Sequence, residues 1–81
     1  MRKFFVKLCK RGNTVVTYMP TARGIEVTFE QAVYNGFNSL VLTIDGRVLE
    51  VEGFNPSEVA YFQLFLKRNK DHIKELVMEN A

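Results

Sequence analysis

Apolar and polar residues change their period more than once along this chain. Over residues 3–9 they alternate, with Phe4, Val6 and Leu8 on one side and Phe5, Lys7 and Cys9 on the other, the period of a strand. Arg11-Gly12-Asn13 marks a turn, and residues 14–19 are β-branched and aromatic, so a hairpin is expected. A loop of two or four residues sets Val6 and Leu8 on the face of Val15, Thr17 and Met19. A three-residue loop sets them with Val16 and Tyr18, which buries more apolar area, and Asn13 tolerates the left-handed backbone such a loop needs. Residues 20–24 read as a loop and residues 25–28 as a short strand.

The pattern then turns helical. Thr28-Phe29-Glu30-Gln31 fits a capping box, Phe29, Ala32, Val33 and Phe37 follow helical spacing, and Gly36 is a natural terminator. A two-turn helix is predicted there. Residues 39–51 return to alternation around Asp45-Gly46, a strong two-residue turn signal. That loop pairs Ile44 with Arg47, Leu42 with Leu49 and Leu40 with Val51, all on one face, so turn chemistry and hydrophobic pattern demand the same register.

Residues 55–81 read as one long or once-broken helix. Asn55 can cap it, Pro56 suits the first helical position, and Glu58 stands where a capping box wants a carboxylate. Val59, Phe62, Phe65, Leu66, Ile73, Leu76 and Val77 share an arc about a third of the circumference wide, a core-facing stripe. Asn69 falls in the middle of that stripe, and a buried amide without partners costs about 1–3 kcal/mol. A straight helix of this length would run about 37 Å, long for so small a domain. The sequence therefore predicts a break near Asn69-Lys70 or a protruding last turn.

Together these elements predict a single α+β domain over residues 1–81 in the order ββ(β)αββα. It has a mostly antiparallel sheet of four to five strands, a short central helix, and a long C-terminal helix, either broken or with a protruding last turn, covering one sheet face. A sheet face lined by Phe4, Val6, Leu8, Leu40, Leu42, Ile44, Leu49 and Val51 needs that cover, at about 1.5–3 kcal/mol per buried side chain. The opening hairpin, with its Met1-x-x-Phe4-x-Val6-Lys7 beginning, resembles that of ubiquitin-like β-grasp proteins over about ten residues. The short central helix and long terminal helix depart from that pattern, and nothing is carried over.

Composition narrows the class. With 47% hydrophobic and 25% charged residues, the chain has the make-up of an ordinary globular domain. The single cysteine, Cys9, has no partner for an internal disulfide, which favours a reducing compartment. The basic, then apolar start is interrupted by Lys7, Lys10 and Arg11, too early for a signal peptide, and no run approaches the roughly 18 apolar residues of a membrane span. The expected protein is soluble and cytoplasmic.

Net charge is +2, but unevenly spread: residues 1–24 carry +6, residues 25–53 carry −4, and the rest balance. One reading is charge complementarity within the domain; the other is a basic face for phosphates.

Candidate chemistry is thin. One histidine, His72, and one cysteine cannot build a four-ligand zinc site, and no nucleophile accompanies His72. The five glycines are isolated, so there is no phosphate loop. Glu50 and Glu52 share a strand face, but a chain this short has little room for a sugar cleft. No catalytic, cofactor or metal site is predicted.

Two binding surfaces remain. Lys3, Phe5, Lys7, Lys10 and Arg11 interleave cations with an aromatic, an arrangement that suits nucleic acid, and Lys67, Lys70 and Lys74 add a basic helix flank. Tyr61, Leu64 and Met78 fall outside the core stripe, as side chains that dock a partner protein or a second copy through the terminal helix would. The expectation is a small non-enzymatic module acting through protein–protein contact, with nucleic-acid binding as the alternative and a small enzyme a distant third.

Overall fold

The computed structural model describes residues 4–6, 14–22 and 24–79. Five strands, β1 (Phe4–Val6), β2 (Thr14–Thr21), β3 (Gly24–Val33), β4 (Gly36–Thr43) and β5 (Val48–Glu52), precede one helix, α1 (Pro56–Glu79). The strands form a single sheet in the order β1-β2-β3-β4-β5, each antiparallel to its neighbours. This meander with one covering helix is α+β, as the patterning predicts, but its element order is βββββα.

The predicted central helix is not formed. Residues 28–37 belong to a long β3–β4 hairpin in which Val27 lies opposite Leu42 and Phe29 opposite Leu40. All four side chains are fully buried. A two-turn helix has little intrinsic stability in water. The same Phe29 gains far more as the centre of a sheet, because Ile25, Val27 and Phe29 also satisfy period two. The apparent capping box at Thr28 is therefore strand, with Thr28 and Glu30 half-buried on the opposite face.

In the first hairpin Phe4 pairs with Tyr18 and Val6 with Val16, the face sharing expected of the three-residue loop. Leu8, Cys9 and the turn lie outside the described residues. In the last hairpin Leu40 pairs with Val51 as predicted, but Leu42 pairs with Val48 instead of Leu49. The loop has three residues, not two. Thr43 N donates to Arg47 O at 2.9 Å and Gly46 N to Thr43 O at 2.8 Å, with Gly46 at φ +92°. The extra loop residue is compensated by Leu49, which the pairing skips as a β-bulge.

Helix α1 is continuous, so of the two expected outcomes, a break near Asn69-Lys70 or a protruding last turn, the break does not occur. Asn69 Nδ2 donates to the Phe65 carbonyl oxygen one turn back at 2.8 Å, so its half-buried amide is satisfied within the helix. The start is as predicted: Asn55 N donates to Glu58 Oε1 at 3.0 Å and Glu58 N to Asn55 Oδ1 at 2.9 Å, a complete capping box. Twenty-four residues make a helix of about 36 Å, close to the 35 Å longest dimension of the molecule.

Phe62, Leu66 and Ile73 on this helix are buried against Val16, Tyr18, Val27, Phe29, Leu40 and Leu42, while Val59, Phe65, Leu76 and Val77 pack at the margin. Phe62 anchors the contact, its ring 4.7 Å from Phe29 and 5.2 Å from Phe54. The core thus sits between α1 and the middle of the sheet. Edge strand β5 lies largely beyond it, so Leu49 and Val51, expected in the core, are exposed.

Candidate partner interface

Among the described residues, the β3–β4 hairpin extends past β2 and β5. The last described β2 rung pairs Thr14 with Gln31, and β5 ends with Glu52 opposite Ser39. Beyond these rungs, Ala32 pairs with Phe37 and Val33 with Gly36, joined by Tyr34-Asn35. Tyr34 is 100% exposed, Phe37 67% and Val33 43%. No charged residue occurs between Glu30 and Asp45, so the finger is wholly uncharged.

Strand register sorts the face turned away from α1. Val15, Glu30, Ser39 and Glu52 occupy one row across β2 to β5, followed by Thr17, Thr28, Val41 and Glu50 in the next. Glu26 continues the series opposite Met19 and Thr43. Four carboxylates therefore share this face, and at the end away from the finger Glu26 borders a shallow recess with Arg47. Thr17 is fully buried within the face, opposite Phe5 of β1.

The proposed helix surface divides. Tyr61 and Leu64 are 41% and 46% exposed and flank a recess they share with Arg68. Met78 is 77% exposed but lies 14 residues beyond Leu64, about 21 Å along the axis. The structure brings the first two together and leaves Met78 apart from them. Of the basic helix flank, Lys70 is engaged: its Nζ is 2.6 Å from Asp45 Oδ1. Gln63 Nε2 also donates to Gly46 O at 2.9 Å, so two polar contacts pin the β4–β5 turn to α1. They border an open groove of about 540 Å³ together with Leu64 and Lys67.

The Lys70 ammonium, through its hydrogen bond and then its charge, holds the Asp45 carboxyl below its ordinary value. Burial, with a smaller contribution from Glu79, pushes the Tyr18 phenol up. Among the described residues no three His, Cys, Asp or Glu side chains are grouped to hold a metal ion. His72 is exposed on α1. Phe5 is placed by its backbone in β1, while Lys3, Lys7, Lys10, Arg11 and Cys9 lie outside the described residues.

The sequence pattern does not mark Val33, Tyr34 and Phe37 as contact residues, because it places Val33 and Phe37 on the helical spacing of the predicted central helix. Two signals for the finger were nonetheless present: the turn-forming Asn35-Gly36 pair and the long uncharged run after Glu30.

Comparison with protein-family models, curated proteins and solved structures finds no match for this chain. Among the described residues, no helix is long and apolar enough to cross a membrane.

Proposed function

We propose that this chain is a non-enzymatic binding module that engages a protein partner, with the β3–β4 finger as its principal contact. The observation that carries this reading is the exposure of Tyr34 and Phe37 on an uncharged, two-stranded projection. Large aromatics left wet at the tip of a hairpin contribute nothing to the core, and such side chains dominate protein interfaces. Tyr61 and Leu64 on α1 offer a smaller second contact.

The nucleic-acid alternative is less well supported. The sheet face that includes the Phe5 rung also carries Glu26, Glu30, Glu50 and Glu52, and carboxylates repel phosphate. Cytoplasmic residence accords with the lone cysteine and belongs to the same proposal.

Affinity capture with the intact chain and with Tyr34→Ala/Phe37→Ala, both verified as folded, tests the reading. Loss of a reproducibly captured protein in the double variant supports it. Capture unchanged by the double variant contradicts it, as does steeply salt-dependent binding of mixed-sequence oligonucleotides in an anisotropy titration.

A further inference from the structure

We infer that the finger seats in an apolar pocket whose rim carries lysine or arginine; this rests on the protein-partner reading and specifies the partner's chemistry. Phe37 lies on the sheet face away from α1, and two residues along β4 the same face presents Ser39. Glu30 and Glu52 flank Ser39 on either side. From strand geometry, these carboxylates stand about 7 Å behind Phe37 and about 10 Å apart, straddling the base of the finger. Glu50 follows in the next row.

Among the described residues, the only basic side chain in register on this face is Arg47, opposite Thr43 at the far end. The finger itself brings no charge. An uncharged aromatic tip with an acidic collar therefore faces whatever it contacts. A pocket that swallowed Tyr34 and Phe37 would bring its own rim against Glu30 and Glu52, and an acidic or apolar rim there would be opposed by like charge or by unpaired desolvation.

The same collar selects among occupants. An anionic membrane surface would repel it. A second copy presenting this face would oppose Glu30 and Glu52 to carboxylates of its own. A basic-rimmed protein pocket satisfies both the aromatics and the acids. In such a contact the aromatics supply most of the affinity, and the charges set approach rate and salt dependence.

The experiment uses the full chain carrying the photo-crosslinker Asn35→benzoyl-phenylalanine, irradiated in extract of the native cell, with adducts mapped by mass spectrometry. The expected result is a protein adduct within an apolar segment bordered by lysine or arginine. Its yield should fall about tenfold with Glu30→Lys/Glu52→Lys or at about 0.5 M salt. Glu30→Gln/Glu52→Gln, which keeps side-chain size and removes charge, should fall between the two. An adduct that requires Tyr34 and Phe37 but ignores both charge variants and salt overturns the basic rim and leaves the protein-partner reading standing. An adduct with a phospholipid or with a second copy overturns the inference. An adduct indifferent to Tyr34→Ala/Phe37→Ala, or no adduct at all, overturns both.

Discussion

Lys70 Nζ reaches Asp45 Oδ1 at 2.6 Å and so joins the middle of α1 to the β4–β5 turn, 25 residues away in sequence. The contact lies at the surface, where screening keeps such pairs weak, and it locates the turn more than it stabilises the fold. Asp45 has its pKa lowered in the folded chain, so its contribution is present above the unfolded carboxylate value and is lost as pH falls through the folded one. Lys70→Ala should raise the Asp45 pKa toward its ordinary 3.8, measurable by NMR titration. It should also erase the part of the acid-induced loss of stability that the pair causes. An Asp45 titration unchanged by the substitution would show that the contact is not made in solution.

Tyr18 carries the opposite linkage. Its phenol is buried on β2 and its pKa is raised above the ordinary 10.0, first by burial and then by Glu79. Between 10.0 and the higher folded value, the unfolded chain has released this proton and the folded chain has not. The stabilisation is therefore complete below 10.0 and is lost as pH rises through the folded value. Urea unfolding at rising alkaline pH should show a steeper loss for the native chain than for Tyr18→Phe. Glu79→Gln should move the late tyrosine absorbance step to lower pH.

Gly53 separates backbone strain from steric conflict. It holds φ +86° just after β5, and a Cβ there would collide with the Asn38 side chain. Gly46 holds φ +92° in the last hairpin loop with open space around it. Gly46→Ala should cost about 1–2 kcal/mol, the left-handed penalty alone. Gly53→Ala should cost about 1 kcal/mol more, since the Asn38 side chain must also move, and Asn38→Ala should recover that excess. Equal losses for the two glycines in denaturant unfolding would refute the Asn38 contact.

Two aromatics should behave oppositely. Phe62 is 2% exposed and in ring contact with both Phe29 and Phe54, so Phe62→Ala should destabilise by about 3–5 kcal/mol. Tyr34, fully exposed at the finger tip, should be replaceable by alanine within about 0.5 kcal/mol. If Tyr34→Ala lowered the melting temperature substantially, the tip would be a folding element and not a free contact surface.

The amino-acid sequence by itself determined the local signals that need few distant partners. The Asn55/Glu58 capping box, the core stripe from Val59 to Val77, the face shared by Val6, Val16 and Tyr18, and the Leu40–Val51 pairing are set by period and by side-chain chemistry. Tertiary structure decided what those signals leave degenerate. Phe29 fits a helical spacing with Ala32, Val33 and Phe37 and a period-two run with Ile25 and Val27, and only burial of Val27 and Phe29 between β2 and β4 chose the strand. Asn69 reads as a break until its amide finds the Phe65 carbonyl. The finger depends on the same choice. Once residues 24–43 pair as a hairpin longer than the described strands beside it, Tyr34 and Phe37 are left outside the core, because among the described residues no neighbouring strand or helix reaches far enough to cover them.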